Sequence, residues 1–210
     1  MTGETTPMAH LASSDKVMAG LIARIGPMSI ERRRRGRPKG DAYGALLRAI
    51  VGQQLSVKAA ATIFDRVLAI FGGRMPTAEE LLAADEAELR GAGLSGRKVE
   101  YLKDLAARVE SGELELDRFG ELSDEEIVAE LTAVRGLGVW TAHMFLIFHL
   151  HRPDVLPVGD LEIRRCVRSE YHLAELPRPA ELTRIAAPWR PYRTFACLYL
   201  WQVAHSAARL

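Results

Sequence analysis

Cysteine is scarce in this 210-residue chain, with only Cys166 and Cys197 present. That excludes a four-cysteine zinc site and a cysteine-ligated iron–sulfur cluster. No apolar run approaches the ~20 residues of a membrane span. The opening stretch MTGETTPMAHLASSDK has no apolar core of signal-peptide length,. A soluble, reduced, cytoplasmic protein with no membrane partner is expected. Net charge is scarce too: 28 Lys and Arg against 27 Asp and Glu leave +1, so overall charge does not announce a polyanion partner,. Strand signals and solenoid repeats are both nearly absent.

What is present is a normal globular composition. Apolar residues make up 48% and charged residues 26%, enough for one core or two small lobes sharing a cleft,. The charge is unevenly placed. Arg32, Arg33, Arg34, Arg35, Arg37 and Lys39 form one basic run, while Glu79 to Glu88 and Asp117 to Glu130 hold much of the acid,. Nucleic acid, if bound, would meet a face. The basic run reads equally as a solvated loop or as salt-sensitive phosphate contacts.

Helical periodicity dominates. Val17, Leu21, Ile22 and Ile25 follow a Ser13-Ser14-Asp15 capping cluster, and Pro27 stops that helix,. From Ala42 to Phe71 the spacing predicts one or two helices interrupted near Gly52 to Ser56, with Ser56 as a cap. Thr77 with Glu80, Asp85 with Glu88, and Ser123 with Glu126 have capping-box spacing,. Helices are expected over 97–110, over 140–150, from near Asp160, and from about 193 to 208. The fold class is all-α, with about ten short helices.

The stretch Arg135-Gly-Leu-Gly-Val-Trp-Thr-Ala-His-Met144 carries the first functional signal. Gly136 and Gly138 can take positive φ, so the chain can turn sharply between two helices,. Amides left open at the second helix's N-terminus would suit a phosphate, with the helix dipole adding attraction. The short string Gly-Leu-Gly alone reads more readily as an ordinary αα-hairpin with a glycine cap.

Longer strings narrow the reading. "LTAVRGLGVWTAHMFLI" resembles the helix–hairpin–helix motif of the DNA glycosylase superfamily that also includes endonuclease III. "VLPVGDLEIRR" resembles that superfamily's Gly/Pro-rich loop ending in an aspartate, and "LLRAIVGQQLSVKAA" its helix and Gln-containing turn that enter the minor groove. "GLSGRKVEYLKDLA" and "PWRPYRTFACLYLW" are similar to further blocks of the 3-methyladenine DNA glycosylase II branch. The likeness runs from Tyr43 to Trp201. It departs in lacking room for the extra N-terminal β-rich domain of that branch's well-known bacterial member.

The resemblance implies two helical lobes around a DNA-binding cleft: residues 1–40 packing on the second lobe, 41–150 carrying the hairpin at about 125–150, and 151–210 completing the second lobe. It also implies a set of roles. Gln53 and Gln54 lie on the wedge turn, with Gln54 at the wedge itself, although a solvated helix break would look the same. Asp160 is the catalytic carboxylate, stabilising positive charge on the sugar or orienting the attacking water; it is also a natural N-cap. Asp154, Glu162 and Glu170 are weaker candidates.

Trp140 stands where strand-cleaving members carry a Schiff-base lysine, which implies a monofunctional enzyme without lyase activity. Trp140, Met144, Leu161 and Trp201 border the base pocket by the same likeness, Met144 and Leu161 replacing tyrosines of the bacterial member. Trp201 reads equally as core, and Tyr43 as core more than lid. Gly136, Gly138 and Thr141 are the phosphate contacts. The carbonyls of Thr132, Val134 and Leu137 are the implied seat of a monovalent cation, sodium or potassium. His143, His149 and His151 lack metal-ligand spacing,.

The expected activity is excision of alkylated bases, 3-methyladenine and 7-methylguanine among them, from double-stranded DNA by base flipping. It would need no cofactor for catalysis. An abasic-site endonuclease would act next. The protein is expected to be a monomer in the cytoplasm, nucleoid-associated if bacterial. The rival reading is a damage- or abasic-site-binding module of the same fold without chemistry.

Overall fold

The structure, a computed structural model, describes residues 6–29 and 41–207. The basic run from Arg32 to Lys39 lies outside the described residues. Among those described there is no strand, and the chain is all-α. They divide into two compact units: one holds residues 6–29 and 146–207, the other 41–145.

The first unit opens with α1 (Pro7–Ser14) and α2 (Lys16–Ile25). The sequence periodicity points to α2 but not to α1. Its start is nonetheless written in Thr6, whose hydroxyl accepts the Ala9 amide, and in Pro7 at the first helical position,. Asp15 ends α1 and caps α2, accepting the Val17 and Met18 amides through Oδ1. Its Oδ2 accepts from the Tyr171 hydroxyl at 2.6 Å and the Trp189 indole at 2.9 Å. One carboxylate thus starts a helix and ties it to residues more than 150 positions away. Gly26, at φ +83, closes α2 one residue before Pro27,.

In the second unit α3 (Ala42–Gly52) and α4 (Val57–Ile70) flank the expected break, with Ser56 capping α4 through the Ala59 amide. α5 (Ala78–Ala83) begins with the reciprocal Thr77–Glu80 box, and Asp85 caps α6 (Glu86–Gly91) through the Ala87 amide. α7 (Gly96–Glu110) is the spine. Val99, Leu102, Leu105 and Ala106 are buried, and α7 packs against α3, α5 and α6. A 3₁₀ turn (Leu116–Gly120) places Phe119 edge-on to Phe145. α8 (Asp124–Ala133) starts with the Ser123–Glu126 box and leads to α9 (Val139–Phe148).

Tyr43, on α3, belongs to this core, with only 9% of its surface exposed. None of the described residues offers its buried hydroxyl a hydrogen bond. Burial first, then the charges of Asp41 and Glu110, push its ionisation well above the usual phenol range,.

The first unit is completed by α10 (Leu161–Glu170), α11 (Pro179–Ile185), a 3₁₀ turn (Ala187–Trp189) and α12 (Arg193–Ala207). α12 packs on α10 and on α1 and α2. Ala196, Cys197, Leu198, Tyr199 and Leu200 are five consecutive fully buried residues, so the middle of this helix is apolar all round and lies inside its unit,.

Candidate functional site

α8 stops at Ala133, Val134 is extended, and the Leu137 amide returns to the Val134 carbonyl at 3.1 Å. Gly136 has φ +81, and a β-carbon there would lie 2.2 to 2.6 Å from atoms of the Tyr101 ring. Glycine is therefore required twice over, by the backbone and by the ring beneath it. Gly138 differs from expectation. It does not adopt positive φ, and a β-carbon on it would meet nothing within 4 Å. Its carbonyl accepts the Ala142 amide at 3.0 Å, so it is the residue that starts α9, while Gly136 alone makes the turn,. Val139 and Trp140, which share α9's first turn with Thr141, are exposed, and there is no side chain at 138 to cover them.

Three side chains brace this hairpin from one face of α7 and from the glutamine turn. Asp104 Oδ2 accepts the Arg135 amide at 2.9 Å. Tyr101 supports Gly136. The Gln53 amide nitrogen donates to the Gly136 carbonyl at 2.7 Å. The structure thus brings Gln53 and the hairpin together and commits the Gln53 side chain to the protein. Gln54 is exposed, with φ +58. Nothing local in the sequence marks Asp104 or Tyr101 for these roles.

In the other unit, Asp160 is 7% exposed at the N-cap of α10, its Oδ1 accepting the Ile163 amide at 2.9 Å. Aromatic and cysteine side chains apart, Asp160 and Thr194 are the only buried polar or charged side chains among the described residues. The two are linked through the segment that leads to Asp160. Thr194 Oγ1 donates to the Arg152 carbonyl at 2.7 Å and accepts the Val155 amide at 3.0 Å. Arg193 grips Asp154 with Nε to Oδ1 at 2.7 Å and Nη2 to Oδ2 at 2.9 Å. Asp154 is thereby a structural ion pair. Glu162 pairs with Arg165 and Glu170 with Arg24. The three weaker candidate carboxylates all have cationic partners.

The expected pocket residues differ in environment. Trp140 and Val139 are each 53% exposed, and Leu161 is 43% exposed. Met144 is half-buried. Trp201 is buried, its ring tilted against Phe148 at 5.8 Å. The thiols offer no nucleophile: burial first, then Glu162 and Glu170, pushes Cys166 up to about 11, and burial raises fully buried Cys197 further,.

No group of three or more His, Cys, Asp or Glu among the described residues could hold a metal ion. The hairpin offers another donor set. The Thr132, Val134 and Leu137 carbonyls lie at and just beyond the end of α8, where the helix dipole is negative,. The Val134 oxygen takes the Leu137 amide and keeps a second lone pair,. Such hard oxygen donors fit a hard monovalent cation.

Two helices joined by a Gly-apolar-Gly turn, with exposed residues at the second helix's start, define a helix–hairpin–helix protein of the all-α class. The chain belongs to the HhH-GPD superfamily of base excision DNA repair proteins, whose model matches residues 47–191. DNA-3-methyladenine glycosylase 1 of Schizosaccharomyces pombe is 36% identical over 209 residues, 99% of this chain and 90% of that protein. The solved structure of Schizosaccharomyces pombe 3-methyladenine DNA glycosylase (Mag1) in complex with abasic DNA matches with a TM-score of 0.82 at 35% identity. It covers 95% of this chain and 96% of its own. DNA-3-methyladenine glycosidase from Bacillus halodurans matches with a TM-score of 0.86 at 33% identity, covering 100% and 94%.

Proposed function

We propose that this protein is a monofunctional DNA glycosylase of the 3-methyladenine glycosylase II type. It excises alkylated bases such as 3-methyladenine and 7-methylguanine from double-stranded DNA, as the first step of base excision repair. The observation that carries the reading is Asp160, a carboxylate kept at 7% exposure in a protein of this family.

N-alkylated purines carry positive charge and leave readily once the nucleotide is flipped out of the stack. The remaining task is to stabilise the oxocarbenium-like sugar or to orient the water that adds to it, and a carboxylate does either. Trp140 offers an exposed π face to a cationic, electron-poor base,. Met144, Leu161 and Trp201 are assigned to the same recognition, Gln54 to the gap in the duplex, and Gly136, Gly138 and Thr141 to a phosphate. The carbonyls of Thr132, Val134 and Leu137 would hold a sodium or potassium ion, adding positive charge beside that phosphate. With Trp140 in place of a lysine there is no Schiff-base step, so an abasic site is the product and an abasic-site endonuclease its consumer. The protein works as a monomer on DNA in the cytoplasm.

One observation favours a second reading. Asp160 Oδ1 caps α10, a role that needs no chemistry and suits a module that only binds damage or abasic sites,. Release of free base from methylated duplex DNA by the wild type and Asp160→Asn, with and without alkali, separates the two. Base release by the wild type alone, with strand breaks only after alkali, is expected. If neither releases base while both bind abasic duplex tightly, the binding module is the right reading.

A further inference from the structure

Residues 52–55, between α3 and α4, have the frame of a type II turn. The Leu55 amide donates to the Gly52 carbonyl at 3.2 Å, Gln53 has φ −54 and ψ 132, and Gln54 has φ +58,. That turn asks for glycine at its third position, and a glutamine there is strained. The relaxed alternative is a type I turn, reached by flipping one peptide group, the one joining Gln53 to Gln54. In that state residue 54 takes an ordinary negative φ and its side chain leaves in another direction.

The carbonyl of that same peptide is held. Lys98 Nζ donates to the Gln53 carbonyl at 2.8 Å and to the Val51 carbonyl at 2.7 Å. Lys98 itself is half-buried, on the first turn of α7. A charged donor on a carbonyl is stronger than a neutral one, and a flip would turn the Gln53 oxygen away from it. The Gln53 side chain, on the Gly136 carbonyl, fixes the same residue from its other end. Lys98, Tyr101 and Asp104 recur every third residue along α7, so one helix holds both the glutamine turn and the hairpin,.

We propose that Lys98 is a positioning residue for Gln54: its ammonium locks the Gln53–Gln54 peptide in the strained orientation, so that Gln54 is presented to DNA already in its inserting conformation. The inference rests on the reading of Gln54 as the residue that fills the gap left by a flipped nucleotide. Lys98 touches no DNA in this scheme. Its contribution is preorganisation, which lowers the cost of binding without adding a contact.

The test is a double-mutant cycle between Lys98→Met and Gln54→Gly, using an abasic-analogue duplex with 2-aminopurine opposite the site and an undamaged duplex as control. Lys98→Met is expected to weaken abasic-duplex binding about tenfold, a coupling of ordinary size, and to abolish the 2-aminopurine response. Undamaged-duplex binding should move less than about twofold, and in the Gln54→Gly background Lys98→Met should also cost less than about twofold. Equal losses on both duplexes, or the same loss in both backgrounds, would overturn the proposal, because a phosphate contact or general destabilisation acts without Gln54. If Lys98→Met does not fold, Gln54→Gly alone decides. It should raise the melting temperature by removing the strain while weakening abasic-duplex binding, and an unchanged or lower melting temperature would overturn the locked-turn argument. A wild type that binds both duplexes equally would sink the DNA reading, and this inference with it. Wild-type preference for the abasic duplex with Lys98→Met unaltered would sink this inference alone.

Discussion

Tyr101 lies directly beneath Gly136, so close that any β-carbon at 136 would penetrate its ring. Gly136→Ala also forces an L side chain into φ +81, and together the two effects should destabilise the protein by about 3 kcal/mol,. Gly138→Ala, with open space around it, should cost less than about 1 kcal/mol yet weaken DNA binding, because the added methyl stands in front of the helix amides,. Chemical denaturation and duplex titration of both variants check the contrast. Equal stability losses at the two glycines would contradict it.

Thr194 satisfies two backbone groups at once, the Arg152 carbonyl and the Val155 amide. Thr194→Val keeps the shape and strands both groups in the interior, at a cost of about 2 kcal/mol. Because the segment leads to Asp160, base release should fall as well, and the fall should persist at temperatures where the variant is fully folded. Melting curves paired with excision assays measure both effects.

Glu80 closes the Thr77 capping box and pairs with Arg74. Hydrogen bonding from Arg74 first, then from the Thr77 amide, holds its carboxyl down to about 2 from an ordinary 4.5. A depressed folded pKa gives stability that is complete above the unfolded value and is lost as pH falls toward the folded one. The gap in melting temperature between wild type and Glu80→Gln should therefore be widest above pH 4.5 and close as the pH approaches 2. A gap that ignores pH would remove the ion pair from the account.

Trp140 is half exposed, so Trp140→Ala should change stability by less than about 1 kcal/mol,. Excision of a cationic base should drop about tenfold with the loss of the π face. Excision of a neutral base, if the enzyme accepts one, should drop less. Single-turnover rates on 7-methylguanine and hypoxanthine duplexes compare the two.

How much of this was legible beforehand depended on distance along the chain. Ser56, Thr77, Ser123 and Asp160 cap helices a few residues on, and that chemistry is local, so the helix starts could be read directly,. α1 was missed because its single buried residue, Leu11, leaves almost no apolar period to detect. α11 begins at Pro179, and its N-cap residue, Arg178, makes no side-chain cap. The hairpin string was readable, but the prediction for Gly138 went wrong because two glycines in one turn look alike until one has a ring beneath it. Lys98, Asp104 and Thr194 act on backbone 31 to 47 residues away, and no window of sequence contains both partners.

One unit is a single stretch of chain, whereas the other joins residues 6–29 to residues beyond 145. During synthesis the stretch from 41 to 145 can therefore close its core while the ribosome is still adding residues. α1 and α2 are made before that stretch and wait through it, because Tyr171, Trp189 and α12 are made after it. The carboxylate of Asp15 leaves the ribosome more than 150 residues before the Tyr171 and Trp189 groups that complete its hydrogen bonds.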